Sequence, residues 1–174
     1  ITWPLRKQMQ LVRWGLIGTL TLLHLIMKNP VWHLIARIDF VGGSTGWHRF
    51  NLFDQFLRRF GEWWLIGTQS TAHWGEGLED VTNQFVLEGA TGGLLTLCIF
   101  VAIVVLAFRE VGLLRQGVQE SRWREALAWS FGVALFVHVT AFFAVSYFAQ
   151  IIVIWYLLLA TIVSIRLTPA EDLV

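Results

Sequence analysis

The stretch FVLEGATGGLLTLCIFVAIVVLAF, residues 85–108, decides how this 174-residue chain folds. Its 24 residues hold a single charged group, Glu88. A helix needs about 20 predominantly apolar residues to cross the hydrocarbon of a bilayer, so this run is long enough to span one. Toward the amino terminus, the apolar run from Trp14 to Met27 reaches span length once Leu11 and Val12 are included and Arg13 snorkels to the interface. Toward the carboxy terminus, Ala126–Ala149 and Ile151–Ile165 read as a tight helical hairpin with its turn near Ser146 to Gln150. A hydrophobic content of 56%, a charged content of 14% and a mean hydropathy of +0.61 agree with a membrane protein. The expected fold class is all-α: a polytopic membrane helix bundle of four transmembrane spans with a long outward-facing loop containing amphipathic helices. The chain then divides into an N-terminus and first span (1–27), a functional loop (28–84), a second span (85–108), a connector (109–125), a hairpin of third and fourth spans (126–165) and a tail (166–174).

Charge sets the orientation of these spans. The amino terminus, with Arg6, Lys7 and Arg13, and the connector, with Arg109, Arg115, Arg122 and Arg124, are denser in basic residues than the loop. Positive flanks stay in the cytoplasm, so the loop is expected to face a periplasm or cell exterior from a bacterial inner membrane. ATP and nucleotide-sugars are absent there, and no phosphate-cradling Gly-rich motif ending in Lys occurs. A net charge of +1, with no basic run interleaved with aromatics, argues against nucleic acid as a partner. The single Cys98 allows no intrachain disulfide and no paired metal ligands, and reads as a small packing residue of the span. The chain begins at Ile1 without a cleavable signal pattern and is expected to be a piece of a longer protein. His24, near a span end, is expected to reach the interface, and His138 to be packed and hydrogen-bonded.

The segment from Lys28 to Glu88 carries five of 13 Lys and Arg, seven of 12 acids, three of five His and five of ten Trp. A connection this long and this aromatic points to function rather than disorder. Asn29-Pro30 opens a helix with Val31, Leu34, Ile35 and Ile38 on one face, expected to lie along the interface with Trp32 and His33 at headgroup level. Gly42-Gly43 ends it. A second amphipathic helix, about His48 to Phe60, places Leu52, Phe53, Phe56, Leu57 and Phe60 on one side and Arg49, Asp54, Arg58 and Arg59 largely on the other, with Gly61 as its stop. From Gly61 to Asp80 the sequence GEWWLIGTQSTAHWGEGLED is irregular, and glycines at 61, 67, 75 and 77 let the backbone bend. Trp63, Trp64 and Trp74 alternate there with Glu62, His73, Glu76, Glu79 and Asp80. Aromatic faces beside carboxylates suit a carbohydrate surface, and an interfacial aromatic belt explains the tryptophans equally well. Asp80, Thr82 and Asn83 offer caps for the span that follows. Glu88, about one turn inside, is either a functional carboxylate or one that reaches water from near the helix end. Gly89, Gly92 and Gly93 form a small-residue face on which another helix can pack.

Three stretches carry a family resemblance: HRFNLFDQFLRRF from His48, WWLIG from Trp63, and DVTNQFVLEGATGGLLTL from Asp80, with the closing VSYFAQ turn and last span beside them. Together they resemble the carboxy-terminal part of the bacterial O-antigen ligase and O-antigen polymerase family, over roughly residues 42–165. The resemblance implies a fragment of a larger GT-C-like membrane protein. It further implies transfer of a glycan from a polyprenyl-diphosphate carrier to a glycan or lipid acceptor in surface polysaccharide biosynthesis, without metal or other cofactor. In the family pattern an arginine leads the loop helix, which matches Arg49. A histidine precedes the Asn and lies eleven residues before a Gly; here the Asn is Asn83, the Gly is Gly93, and Thr82 stands where the histidine would.

The chemistry fits the residues on its own terms. A departing diphosphate gathers negative charge that a guanidinium meets with two parallel hydrogen bonds, which makes Arg49 the first candidate, with Arg58 and Arg59 behind it. An attacking sugar hydroxyl benefits from a base, for which His73, Asp80 and His48 are candidates, while Glu76 or Glu79 can orient the acceptor. Trp63, Trp64, Trp74, Thr82, Asn83 and Glu88 complete the candidate substrate-binding set. Two other classes compete: a non-catalytic membrane subunit binding lipid-linked glycan, and a polytopic transporter module, which would line a midplane path with polar residues where the last two spans offer little beyond His138. An intramembrane serine protease fits less well, since Ser44 and Ser70 lie in the loop without a nucleophile turn. Oligomeric state is left open by the sequence.

Overall fold

The computed structural model of the protein describes residues 9–28, 45–116 and 122–167. Six α-helices and one 3-10 turn lie among the described residues, joined by turns and irregular segments, with no strand among them: α1 (Met9–Ile26), α2 (Thr45–Arg58), α3 (Phe60–Trp63), the turn Ala72–Trp74, α4 (Gln84–Gln116), α5 (Arg122–Phe142) and α6 (Gln150–Leu167). The expected interfacial helix after Asn29, the Gly42-Gly43 stop and the tail beyond Leu167 lie outside the described residues. Two compact units divide the chain, Ile1–Gln55 and Phe56–Val174, and the boundary falls within α2.

In the first unit, α1 is apolar and turned outward along its length: Leu11, Trp14, Leu16, Ile17, Leu20, Leu22, Leu25 and Ile26 are all exposed. Its Thr21 hydroxyl folds back onto the Ile17 carbonyl at 2.8 Å, which hides the polar atom from an apolar surrounding. On α2, Trp47 and Phe50 form a ring pair with centroids 5.3 Å apart.

The second unit is built on α4. Its residues Phe100, Val104, Ala107, Val111 and Leu114 are buried. Their spacing of three or four keeps them on one helical face. Facing residues Leu135 and Phe142 of α5 and Trp155 and Ile162 of α6 are each seven apart, two turns along one stripe, and close the core around Phe100 to Val111. Aromatic rings lock one end, where Phe142 meets Phe100 at 5.2 Å, Tyr147 at 4.7 Å and Trp155 at 5.1 Å between centroids. These edge-to-face contacts add to burial.

Two helices are long and apolar enough to cross a membrane, Gln84–Arg115 and Glu125–Phe142, while Trp14–Ile26 and Gln150–Ile165 are shorter apolar helices. Of these two stretches 22% and 17% are buried, and outward-facing apolar side chains include Leu95, Val105 and Leu106 on the first and Phe136 and Val137 on the second.

Element ends differ from expectation in three places. Gly61 does not stop the loop helix: α2 ends at Arg58 and Gly61 lies inside α3, because Trp63 turns back to donate its indole Nε1–H to the Phe56 carbonyl of α2's last turn at 2.8 Å. Helix α4 continues past Phe108 through the first half of the expected connector, to Gln116, since Val111 and Leu114 prolong its buried face. Helix α5 ends at Phe142 rather than Ala149, and the Phe143 and Ala144 amides turn onto Thr140 and Ala141 carbonyls at 3.3 and 2.8 Å. Cys98 is exposed on α4 and does not pack inside the chain.

Candidate functional site

Glu62 gathers the loop between α2 and α4. Its place as the third residue of the short helix α3 aims the carboxylate at three donors. His73 Nε2 lies 2.8 Å from Oε2, Trp74 Nε1 donates to the same oxygen at 3.1 Å, and Arg59 Nη1 donates to Oε1 at 2.9 Å. The hydrogen bond with His73 is the main reason its carboxyl is held below the usual carboxylate range; Arg59 and Trp74 act the same way, and desolvation opposes them. An ionised carboxylate only accepts hydrogen bonds, so the neutral His73 ring carries its hydrogen on Nε2 and its lone pair on Nδ1. His73 is 51% exposed, which leaves that ring open to solvent and to an incoming molecule.

Packing beneath the cluster fixes it. Trp63 is 2% exposed and lies flat on Phe56 with centroids 3.9 Å apart, and Trp74, 4% exposed, meets Phe56 at 6.3 Å. The Thr71 hydroxyl donates to the Leu78 carbonyl and ties the ends of the segment that presents His73. Gly89 of α4 lies under this floor: an added Cβ would fall 2.6 Å from the Phe56 ring and 3.1 Å from the Trp63 ring. At Gly89 the small-residue face of α4 receives the Phe56 ring of α2 and the Trp63 ring of α3, as expected of a helix-packing face, whereas at Gly93 it receives loop backbone.

A second feature is a break in α4 at Gly93, whose φ of 76° and ψ of −171° interrupt the helix. In an unbroken helix the Leu94 amide would bond to the Ala90 carbonyl. Here the Leu94 amide donates to the Trp64 carbonyl at 2.8 Å, and the Ala90 carbonyl accepts from the Thr68 amide at 2.6 Å. The loop thus takes both ends of the interrupted bond. Its close approach needs glycine on each side: a Cβ at Gly67 would sit 2.5 Å from the Ala90 oxygen, and one at Gly93 2.6 Å from the Leu65 oxygen.

The entry to α4 is pinned by buried amides. Asn83 caps the helix by accepting the Val86 amide at 3.1 Å and donates to the Phe143 carbonyl at 3.3 Å. Gln84 donates to Glu88 at 2.7 Å and accepts the Tyr147 amide at 2.6 Å. The Tyr147 hydroxyl in turn lies 2.6 Å from His138 Nδ1, as expected of a packed histidine. The Thr82 hydroxyl is buried with no hydrogen-bond partner among the described residues.

These contacts redistribute the candidate residues. Trp63 and Trp74 are parts of the floor, so their faces are closed to a sugar ring and only Trp64, 46% exposed, presents one. Asn83 is a helix cap joined to the α5–α6 connection rather than a substrate ligand. Arg59 is engaged with Glu62. Arg58, Glu76, Glu79 and Asp80 are exposed on the same unit as His73, whereas His48 and Arg49 belong to the first unit. Glu88 is half-buried and bound to Gln84. Sequence reasoning left out Glu62, Gln84 and Tyr147 as organisers. The partners that make Glu62 and Gln84 organisers, His73 and Trp74 for the one and Tyr147 for the other, stand eleven, twelve and 63 residues away, at separations with no periodic signature. Among the described residues no three His, Cys, Asp or Glu side chains gather closely enough to hold a metal ion. The chain matches no protein-family model, no curated protein and no solved structure.

Proposed function

We propose that this protein is a membrane glycosyltransferase that moves a glycan from a polyprenyl-diphosphate carrier to a hydroxyl acceptor, as its resemblance to the O-antigen ligase and polymerase family implies. The observation that carries the reading is the Glu62–His73 pair, an oriented imidazole on an exposed loop, 2.8 Å from the carboxylate that fixes its tautomer. His73 Nδ1 takes the proton of the acceptor hydroxyl as that oxygen attacks the anomeric carbon. The bond from the anomeric carbon to the phosphate oxygen breaks, and the polyprenyl diphosphate leaves with the electron pair. Glu62 then faces an imidazolium, whose charge it stabilises. Guanidinium groups suit the departing diphosphate; Arg58 offers one beside the loop, and Arg49 is the one the resemblance singles out. Trp64 supplies an aromatic face. The bilayer holds the carrier's lipid, and the proposed orientation puts the loop on the periplasmic side of an inner membrane with four spans.

The test is glycan transfer in membranes supplied with a polyprenyl-diphosphate oligosaccharide and an acceptor, at matched expression. His73→Ala is expected to lower transfer by about 100-fold or more, the usual reach of a positioned base, and Glu62→Gln by about tenfold. Arg49→Ala and Arg49→Lys are both expected to lose transfer, because an ammonium does not reproduce a two-point phosphate contact. Full transfer by His73→Ala would remove the base from the mechanism. Glycolipid binding by the wild type with no transfer to any acceptor would favour a non-catalytic subunit, the reading to which Thr82 in the histidine's place lends support.

A further inference from the structure

We infer that residues 64–66, the Trp-Leu-Ile of the loop, form a re-entrant element that enters the lipid phase beside the break in α4, with bilayer acyl chains as the partner of Leu65 and Ile66. The inference rests on α4 spanning the membrane and is independent of the chemistry assigned to His73.

Depth is the first argument. Two backbone hydrogen bonds, Leu94 N–H to Trp64 O at 2.8 Å and Thr68 N–H to Ala90 O at 2.6 Å, hold the loop at the level of residues 90–94. Arg109 ends the apolar run of α4 on the other side. Counting about 20 residues back from it, the length that crosses the hydrocarbon, places the outer boundary near Gly89. The stitched level is then about one turn, or roughly 5 Å, inside.

Surface chemistry is the second. Leu65 is 64% and Ile66 81% exposed, and the α4 surface at that level carries Leu94 and Leu95, 37% and 70% exposed. Two consecutive large aliphatic side chains turned outward beside a lipid-facing helix are suited to acyl chains and poorly suited to water. The polarity changes at Gly67: Gln69 and Ser70, which follow, are exposed polar residues. Phe60 and Trp64, each 46% exposed and stacked at 6.5 Å, flank the other side as an interfacial aromatic pair.

Backbone satisfaction is the third. Irregular backbone is tolerated at bilayer depth only where its polar groups are paired within protein. The break in α4 is met by exchange: the groups it frees pair with Trp64 and Thr68, and at the loop's ends the Trp64 and Gly67 amides bond to the Phe60 and Trp63 carbonyls at 3.1 and 2.9 Å. A helix that broke without this loop would leave an amide and a carbonyl orphaned in hydrocarbon.

Nitroxide accessibility tests the inference on the whole protein in vesicles of equal parts palmitoyl-oleoyl phosphatidylcholine and phosphatidylglycerol. Labels go on Ile66→Cys, Leu95→Cys and Glu76→Cys in a Cys98→Ser background, and Leu65→Cys replaces Ile66→Cys if that variant does not elute like the parent. Oxygen concentrates in hydrocarbon and a nickel chelate is excluded, so the oxygen-to-nickel ratio at 66 should match that at 95 and exceed that at 76 by roughly tenfold. A water-like ratio at 66 with a lipid-like ratio at 95 overturns the inference alone. A water-like ratio at both removes the span on which it stands. Shielding of 66 from both reagents means that protein, another segment or a second copy, covers the site, and that also overturns it.

Discussion

Helix α4 before and after Gly93 is one helix serving two kinds of neighbour. Before the break, from Gln84 to Gly92, it is tied to α2, α3, the loop and the α5–α6 connection: Phe56 and Trp63 lie on Gly89, Thr68 bonds to Ala90, and Gln84 holds the Tyr147 amide as well as Glu88. After the break, Phe100, Val104, Ala107 and Val111 pack on α5 and α6 while Leu95, Ile99, Val101 and Val105 face outward. Side-chain size accounts for the difference. Glycine at 89 and 93 lets backbone and aromatic rings come close; branched and aromatic residues beyond 93 admit only side-chain packing. The same secondary structure thus carries a polar, tightly tied entry and an apolar, lipid-compatible shaft.

The largest break in that contrast comes from Gly93→Ala. Its backbone lies where only glycine is comfortable, and the new Cβ would fall 2.6 Å from the Leu65 oxygen. A loss of about 3 kcal/mol or more is expected, seen as a lower unfolding midpoint in detergent. Gly112 is the matched control on the shaft, with nothing within 4 Å of its would-be Cβ. There the same substitution should raise stability by about 0.5–1 kcal/mol through helix propensity. Equal effects at the two sites would mean that the loop is not tied into the helix.

Gln84→Ala breaks the entry without touching the glycines. It strands the Tyr147 amide and removes a partner of Glu88, with an expected cost of about 1–3 kcal/mol. Amide hydrogen exchange should show it as faster exchange at Tyr147 while residues 100–111 stay protected; loss of protection in both would show that entry and shaft unfold together. The two regions were also unequally legible. The shaft's unbroken apolar run announced its helix from Phe85 to Phe108, while the continuation through Val111 and Leu114 was hidden by the charges at Arg109, Glu110 and Arg115. The entry could not be read that way. Gly89 and Gly93 signalled close approach, but whether a helix or a loop would approach depends on Trp64 and Thr68 finding Leu94 and Ala90, pairs that share no period. Tryptophan spacing misled for the same reason. Trp63 and Trp74 look alike with Trp64 in sequence, and only the fold turns two of them inward.

The smallest expected effect bears on what holds His73 in place. Glu62's folded carboxyl is held below its ordinary value, chiefly by His73, so its contribution to the loop is present above the ordinary carboxylate value and fades as pH falls through the lowered one. The group is exposed, so the contribution is small and weakens further with salt. Amide exchange in residues 71–78, compared between wild type and Glu62→Gln at each pH, isolates it, because the intrinsic pH dependence of exchange is common to both proteins. The Trp74 and Leu78 amides, bonded to Thr71 and Gly75 carbonyls at 2.9 and 3.2 Å, are the reporters. Wild type should be the better protected near neutral pH, and the difference should vanish in acid once the carboxylate is protonated. A difference that survives in acid would mean that shape rather than charge at position 62 holds the loop. His73 would then owe its placement to the Trp63 and Trp74 floor, and the Glu62→Gln effect on transfer would be read as local distortion rather than loss of the imidazolium's counter-charge.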